Sequence, residues 1–288
     1  GRMAHPLLDC ARTDARPEPF LRAAGAIFAA FGPPAQDSGN RSYGVRVGSE
    51  RFFVKTAGSP DDDGPPHAER VALLRNAAAL HASVRHPALV PLLHLIESPE
   101  GPLLVYPWVE GELLGAPRAR RDDPASAFQR FRRLPAAAIG RCLDAIFDLH
   151  AALAAAGWVA VDFYDGCLIY DFAAGRLGVI DLDMYRRGPF RNPRGRWFGS
   201  SRFMAPEEHA LGALIDERTT VFTLGRAALI FLGDGSDAAE HFRGPAACLE
   251  VARVACQEDP ARRFATVAAL RRAWREAWGD GSAAPLHG

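Results

Sequence analysis

The sequence predicts an α+β fold in which a small antiparallel sheet with one main helix precedes a larger, mainly helical region. Over residues 34–57, short apolar runs alternate with turn residues, which is typical of two or three antiparallel strands. Residues 68–84 carry Ala and Leu near helical spacing, and apolar runs at 90–95 and 103–106 flank a turn. Helical patterns dominate the rest of the chain, beginning with a long amphipathic helix over 135–156.

The segment 19–31 is predicted to be an amphipathic helix. Its apolar residues recur near helical spacing, at Phe20, Leu21, Ala24, Ile27, Phe28 and Phe31. The segment differs from a secretion signal, because no basic lead and no small-residue cleavage site frame it. Further along, residues 115–134 are rich in Arg and Asp and are predicted to form a polar connection.

Composition limits the classes of function. The 288 residues include 34 basic and 34 acidic side chains, so the formal net charge is zero. There is therefore no global electrostatic case for a nucleic acid or an anionic membrane as partner. The five cysteines are dispersed, with no CxxC pair, which predicts reduced thiols in the cytoplasm and argues against disulfides or a zinc site. No apolar stretch reaches the length of a membrane span.

Lys55 is the one lysine among the 34 basic residues, and the other 33 are arginine. The chain is also rich in Ala, Gly and Pro. This composition indicates a GC-rich genome, whose coding bias favours arginine over lysine. Lysine presents a compact ammonium group, whereas arginine presents a wide planar fork. A site that requires the compact cation would resist the bias, so Lys55 is a candidate functional residue.

A β-hairpin is predicted just after the middle of the chain. Two strand-like runs, 168–170 and 177–180, are separated by turn residues. A hairpin centred on Ala174 places Cys167 opposite Asp181. It thereby returns Asp181 to the stretch of chain that precedes the hairpin.

That stretch carries two more acidic residues, Asp162 and Asp165. If the chain stays extended after the hairpin, Asp181 and Asp183 point to one face, because side chains alternate along a strand. A cluster of carboxylates is costly unless a cation compensates it, and oxygen ligands suit Mg²⁺. Magnesium, carboxylates and a lysine such as Lys55 are groups that recur in the active sites of phosphoryl-transfer enzymes.

The order of these features resembles that of a Hanks-type protein kinase over roughly residues 35–278. The segments that carry the resemblance are, in order, RFFVKTA, RHPALVPLL, LLVYPWVEGELL, AVDFYDGCLIYD, VIDLD, GSSRFMAPEE, DERTTVFTLGRAA and DPARRF. They are similar to the lysine-bearing strand, the HPNIV stretch, the strand entering the hinge, the catalytic loop, the IDFG strand, the APE segment, the F-helix and the DPxxR motif. The catalytic-loop and APE strings look especially like those of small bacterial serine/threonine-kinase-like proteins.

The resemblance implies a bilobal protein-kinase-like fold. Its parts are an N-terminal extension (1–33), an N-lobe (34–106), a hinge (107–111), a C-lobe (112–279) and a flexible tail (280–288). It implies that Lys55 binds the phosphates of ATP, that Asp162 is the catalytic base and that Asp181 binds the metal. Adenine would be bound by the carbonyl of Pro107 and the N–H of Val109, beside Tyr106 as gatekeeper.

Two departures concern the phosphates and Lys55. The segment SGNRSYG lacks the full GxGxxG pattern. Its polar residues are candidates for phosphate binding, namely Ser38, Asn40 and Ser42. The glutamate expected on the C-helix is Ala77, so the partner of Lys55 is predicted to be Glu69, if the helix is shifted, or Asn76.

Other departures concern the second metal position, where Cys167 replaces asparagine. A thiolate is a poor ligand for Mg²⁺, so Asp183 or Asp165 is predicted to replace it, with Asp183 preferred. Asp183 also stands where the family has the DFG glycine. The remaining departures fall on parts that regulate the enzyme or dock a peptide, at Ala160, Val161, Tyr164 and Thr220.

These features predict an enzyme that uses ATP and Mg²⁺ (or Mn²⁺) to phosphorylate a hydroxyl group, with a protein Ser/Thr as the first choice of acceptor. The alternatives are a small-molecule O-phosphotransferase acting on an antibiotic or metabolite, and a pseudokinase that binds or scaffolds. A buried ion pair is predicted between Glu207 of the APE motif and Arg263. The loop before that motif carries arginines that suit an anionic group or a solvated surface, at Arg186, Arg187, Arg191, Arg194 and Arg196.

Overall fold

The computed structural model describes residues 1–32 and 40–279, which form an α+β structure divided into two compact units. The first unit comprises Gly1–Arg85 and Val90–Val109. The second comprises His86–Leu89 and the chain from Glu110 onward. The α+β class predicted from the sequence is confirmed. The predicted tail 280–288 lies outside the described residues.

The first unit is built on a five-stranded antiparallel sheet in the order β1-β2-β3-β5-β4. Its elements are α1 (Pro17–Ala24), β1 (Ala26–Phe31), β2 (Arg41–Val47), β3 (Glu50–Thr56), α2 (His67–Ser83), β4 (His94–Ile96) and β5 (Leu103–Pro107). The predicted hairpin of two apolar runs is confirmed as β4 and β5, with β4 shorter than the run that predicted it.

The two faces of this sheet are covered by different elements. Leu103 and Val105 of β5 lie in a core cluster that includes Leu21 of α1. Leu104 points to the opposite face, where it packs against Leu74 and other buried residues of α2. This alternation follows from the two-residue period of a strand, and it fixes which side chains of β3 and β5 face α2.

The helix predicted over residues 19–31 is wrong in its second half. The helix α1 ends at Ala24, and Ala26–Phe31 forms the edge strand β1 paired with β2. A Cβ atom added at Gly25 would lie 2.3 Å from the carbonyl oxygen of Arg46, so only glycine fits where the chain passes from helix into sheet. The sheet therefore includes residues that precede position 34.

The second unit is mainly helical. Its helices are α3 (Ala127–Arg132), α4 (Ala136–Ala155), α5 (Glu217–Leu232), α6 (Ala246–Ala255) and α7 (Val267–Trp278). Its strands are short: β6 (Glu112–Leu113), β7 (Trp158–Val159), β8 (Leu168–Asp171), β9 (Arg176–Val179), β10 (Arg186–Arg187), β11 (Phe190–Arg191) and β12 (Leu214–Ile215). The predicted helix over 135–156 is confirmed as α4, whereas the predicted polar connection contains the short helix α3.

The core of this unit surrounds α5, which is buried along almost its whole length. The helix α4 packs against α7, and the rings of Phe147 and Trp274 meet edge to face with centroids 5.3 Å apart. A continuously buried helix such as α5 is a rigid support for the loops attached to it. No helix in the described part of the chain is long and apolar enough to cross a membrane.

Candidate active site

The hairpin β8–β9 brings the predicted acidic residues together in the second unit. The strands are antiparallel, with Leu168 opposite Val179, and the N–H of Ile180 donates to the carbonyl oxygen of Cys167 at 2.8 Å. The predicted register was therefore wrong by one residue, since Cys167 lies opposite Ile180 and not Asp181. Asp181 follows directly after this last hydrogen bond, which fixes where its backbone begins.

Asp162 and Asp181 share an unusual backbone conformation. Their φ angles are 61° and 59°, and they are the only non-glycine residues with positive φ within the described ranges. Aspartate tolerates this left-handed region better than most residues, and such conformations concentrate at functional sites. Because Asp181 is not extended, the expectation that Asp181 and Asp183 point to one strand face is wrong.

The thiol of Cys167 links the two aspartates. Its Sγ lies 3.4 Å from the carbonyl oxygen of Asp162 and 3.9 Å from that of Asp181, so its proton can be donated to either. The side chain is 1% exposed. Burial, reinforced by the charge of Asp181, raises the pKa of the thiol well above its usual value. Cys167 is therefore a protonated hydrogen-bond donor and not a metal-binding thiolate.

The carboxyl group of Asp162 lies in a strongly perturbed environment. Burial first, and then the charge of Asp181, raise its pKa to about 6, while Arg196 opposes both effects. Asp181 itself is exposed. Two carboxyl groups that repel each other, one of them reaching solvent, form an arrangement that a cation would stabilise.

Asp165 and Asp183 occupy different environments. Asp165 is fully buried, and its Oδ1 accepts a hydrogen bond from Nη2 of Arg202 at 2.6 Å. Its Oδ2 is buried without a hydrogen-bond partner in the described chain, so Asp165 stays a candidate metal ligand. Asp183 is buried in the turn that follows Asp181. In the described part of the chain, no three His, Cys, Asp or Glu side chains form a metal-binding group.

This donor set fits magnesium more than zinc or calcium. Mg²⁺ is usually bound by one or two carboxylates, with waters and substrate phosphates completing its octahedron. Asp181 and Asp162 supply carboxylate oxygens close to each other, and Asp183 follows two residues later. A cage made entirely of protein ligands is therefore not required.

Thr220 anchors the loop that carries Asp162. It lies in α5, and its Oγ1 accepts a hydrogen bond from the N–H of Ala160 at 3.1 Å. Both residues are buried. The aspartate expected at position 220 is lost as a charge, but a side-chain oxygen that holds the loop backbone is retained. The sequence indicated only the loss of the aspartate, because a threonine in a helix carries no signal of this contact.

Glu207 and Arg263 form the predicted buried ion pair, which is confirmed. Nη2 of Arg263 donates to Oε2 of Glu207 at 3.0 Å, while Nη1 donates to Oε1. The two side chains are 7% and 0% exposed. This is a bidentate arginine–carboxylate contact, which matches the planar geometry of the guanidinium group. It links the APE segment to the loop before α7.

Glu208 was missed by sequence reasoning. It is buried, and its Oε1 accepts a hydrogen bond from the N–H of Ala205 at 3.0 Å. Burial first, and then the charges of Glu207 and Asp162, raise its pKa to about 8. Glu208 is therefore mostly uncharged at neutral pH, whereas the neighbouring Glu207 forms the ion pair with Arg263. Two adjacent glutamates with such different environments cannot be told apart by residue type.

Lys55 lies in the first unit, one residue before the end of β3, opposite Ser42 on one side and Leu104 on the other. Its side chain is buried. His81 of α2 feels its charge: the pKa of His81 is lowered to about 4, by burial first and then by the charge of Lys55. The ring of His81 meets that of Tyr106 edge to face, with centroids 5.5 Å apart.

The predicted partners of Lys55 are both on α2. Glu69 is exposed in the first turn of the helix, and Asn76 is half-buried in its middle. Ala77, which stands in place of the expected glutamate, is buried in the apolar contact with Leu104. The structure thus places a neutral histidine near Lys55. The sequence did not indicate this neighbour, because a single histidine in a helix carries no signal of what it contacts.

The predicted nucleotide-binding residues are placed as follows. Ser38 lies outside the described residues, while Asn40 and Ser42 are buried at the start of β2. The Oγ of Ser42 is buried without a hydrogen-bond partner in the described chain. Pro107 ends β5 opposite Phe52, and Val109 follows, half-buried, at the end of the first unit.

Comparison with known proteins adds no assignment: no protein-family model matches the chain, and no curated protein matches it significantly.

Proposed function

We propose that this chain is an ATP- and Mg²⁺-dependent phosphotransferase with a bilobal protein-kinase-like fold. The observation that carries the proposal is the pairing of Asp162 with Asp181. The two residues resemble the catalytic base and the metal ligand of protein kinases, both have left-handed backbones, and both carbonyls lie within reach of one buried thiol. Left-handed backbone conformations at two non-glycine residues cost free energy, and such conformations cluster at functional sites.

Each residue has a distinct task in this proposal. Asp162 accepts a hydrogen bond from the acceptor hydroxyl and takes its proton as the hydroxyl oxygen bonds to the γ-phosphorus and the bond to ADP breaks. A base with a pKa near 6 is ionised at neutral pH and still basic enough to hold that proton briefly. Asp181 would hold Mg²⁺, which neutralises phosphate charge, and Lys55 would bind the α- and β-phosphates.

Several contacts support the assignment of the surrounding segments. Lys55 lies on a strand that is followed by the helix α2 and then by the strands β4 and β5. The loop of Asp162 is hydrogen-bonded to α5 through Thr220. The Glu207–Arg263 pair joins the two segments that resemble the APE and DPxxR motifs.

The acceptor is proposed to be a protein Ser or Thr. Three departures from the kinase pattern, Tyr164, Asp183 and Thr220, favour a small-molecule acceptor. Of these, Thr220 still holds the backbone of the loop that carries Asp162. Tyr164 stands at the position where serine/threonine kinases commonly have lysine. Its ring packs so closely on the loop that a Cβ atom at Gly166 would lie 2.3 Å from Cζ of Tyr164. Small-molecule acceptors remain the alternative substrate class.

A second candidate function is a pseudokinase that binds nucleotide without turnover. The observation that favours it is Cys167, which stands at the second metal position and is a protonated donor there. In this case Asp183 and Asp165 are the remaining candidates for a second ligand, with Asp183 preferred. The two functions differ in turnover and agree on nucleotide binding.

Binding of ATP, measured by titration calorimetry with Mg²⁺ or with EDTA, tests the shared part of the proposal. We expect the wild-type chain to bind ATP more tightly with Mg²⁺, Lys55→Met to lose binding, and Asp181→Asn to lose only the magnesium-dependent gain. Asp171→Asn is the matched control, because Asp171 lies in the turn of the same hairpin. No ATP binding by the wild type, or equal binding by all variants, would refute the proposal.

A further inference from the structure

The segment between Asp183 and Glu207 contains no acidic residue, but it carries five exposed arginines within twelve positions. We call these five the arginine surface: Arg186, Arg187, Arg191, Arg194 and Arg196. The chain as a whole is neutral, so this surface is a local excess of positive charge. Such an excess attracts anions and speeds their association.

The guanidinium groups of this surface are held without acidic partners. Arg186, Arg187 and Arg194 lie over the rings of Phe190, Trp158 and Phe198, at 4.1, 4.5 and 4.5 Å from the ring centroids. Arg196 donates to the carbonyl oxygens of Trp197 and Gly199. Within residues 1–32 and 40–279, no carboxylate lies within 4 Å of any of the five guanidinium groups.

Some other exposed or half-buried arginines pair with carboxylates, as Arg41 does with Asp62 and Arg75 with Glu97. The arginine surface differs from these sites because its guanidinium groups lie close together in the chain with no acidic residue between them. Nη1 of Arg187 also donates to the carbonyl oxygen of Ala156. Stacking on aromatic rings fixes the positions of the arginines, and their other N–H groups can bind a carboxylate. The surface is therefore ordered before any partner arrives.

Exposed apolar side chains are interleaved with the arginines. Phe198 is 38% exposed beneath Arg194. Arg191 lies opposite Leu214 in the β11–β12 pair and donates to the carbonyl oxygen of Gly212. Leu214 is 42% exposed, and the neighbouring Leu211 is 73% exposed. The partner must therefore supply apolar contacts as well as negative charge.

The arginine surface borders the candidate active site. The charge of Arg196 lowers the pKa of Asp162, so the two groups are close enough to interact. A Cβ atom added at Gly199 would lie 3.9 Å from Cα of Asp162. A partner that covers the surface would thus lie beside the proposed catalytic base.

We propose that the arginine surface binds an acidic protein segment that also carries apolar side chains. The binding of this segment does not depend on the proposed function. Only the further statement, that the segment contains the acceptor hydroxyl, rests on the proposed function. A peptide fits better than a single-stranded nucleic acid, because the nearest ring faces are already covered by arginines and are closed to stacking bases. It also fits better than a membrane, because the exposed leucines lie on short strands and turns and not on an amphipathic helix.

Fluorescence anisotropy of the full chain tests the proposal. The probe is a labelled 15-residue peptide of Glu, Asp, Leu and one Ser, and its control replaces Glu and Asp by Gln and Asn. We expect the acidic peptide to bind and its affinity to fall as salt rises. The double variant Arg191→Gln/Arg194→Gln should bind roughly fivefold more weakly. The matched control Arg120→Gln/Arg272→Gln, at two exposed arginines elsewhere, should bind as the wild type does.

Two results overturn the proposal. One is an equal affinity for the acidic and the neutral peptide, or for both double variants. The other is tighter binding of single-stranded DNA or of phosphatidylserine vesicles than of the acidic peptide. Lys55→Met should bind the peptide normally. If the wild type binds the peptide but does not turn over ATP, the phosphotransferase proposal fails and the arginine surface stays supported.

Discussion

Asp162 and Asp181 lie on either side of one thiol, with their carbonyl oxygens 3.4 and 3.9 Å from Sγ of Cys167. Both have left-handed backbones, and the charge of Asp181 contributes to the raised pKa of Asp162. The backbone positions of the proposed base and the proposed metal ligand are thus set by the same side chain. A change at one of the three residues is expected to affect the other two.

The titration of Asp162 reports on this coupling directly. We expect its carboxyl carbon to titrate near pH 6 in NMR spectra recorded with EDTA, because burial and Asp181 both disfavour the charged form. In Asp181→Asn the pKa should fall part of the way toward its usual value, since burial remains. In Arg196→Gln it should rise. An unchanged pKa in both variants would show that the groups do not interact.

Cys167 is expected to act as a donor that positions the two aspartates. Cys167→Ser keeps a donor and should retain most of the wild-type turnover, whereas Cys167→Ala removes it and should lower turnover roughly tenfold through misplacement of reacting groups. Cys142→Ala, at another buried cysteine in α4, is the control. If Cys167→Ala matches this control, or if Cys167→Ser loses as much activity as Cys167→Ala, the positioning role is wrong.

The Glu207–Arg263 pair is expected to contribute strongly to stability. Glu207→Ala strands a fully buried guanidinium and should lower the free energy of unfolding by about 3–5 kcal/mol. At about 2–4 °C for each kcal/mol, the melting temperature should fall by roughly 10 °C. The exposed pair Glu250–Arg253 provides the control, because Glu250→Ala should cost less than about 1 kcal/mol. Equal melting temperatures for the two variants would contradict the account.

Glu208 is expected to make stability fall as pH rises. Its folded pKa of about 8 lies above its usual value of 4.5, so its contribution is fully present below pH 4.5 and is lost as pH rises toward 8. Glu208→Gln keeps an oxygen for the N–H of Ala205 but cannot ionise. Chemical denaturation at pH 6 and 9 should show a smaller loss for Glu208→Gln than for the wild type. Parallel losses would indicate that Glu208 ionises normally.

Much of the fold could be predicted from periodicity, and the exceptions have physical causes. The helix α4 was predicted within one residue of each end because a long amphipathic pattern is unambiguous. The strand β1 was taken for helix because Ile27, Phe28 and Phe31 fit both periods over so short a run. The deciding contact, between Gly25 and the backbone of Arg46, is distant in sequence.

The site was predictable where a residue type carries its own chemistry, and less so where packing decides. Asp162 and Asp181 are candidates because they are aspartates after apolar runs, and the Glu207–Arg263 pair follows from the resemblance to the APE and DPxxR motifs. The one-residue error in the hairpin register arose because the turn residues allow either alignment. The position of His81 near Lys55 and the task of Thr220 depend on how helices pack, which no local pattern specifies.

Transfer of the γ-phosphate from ATP in the presence of Mg²⁺ tests the central claim most directly. Release of ADP and labelling of a protein or small-molecule acceptor should be measured for the wild type, Lys55→Met, Asp181→Asn and the control Asp171→Asn. The wild type and Asp171→Asn should turn over ATP, and the other two variants should lose at least about 100-fold of that activity. Wild-type turnover by Lys55→Met or Asp181→Asn would contradict the claim, and ATP binding without any turnover would establish the pseudokinase in its place.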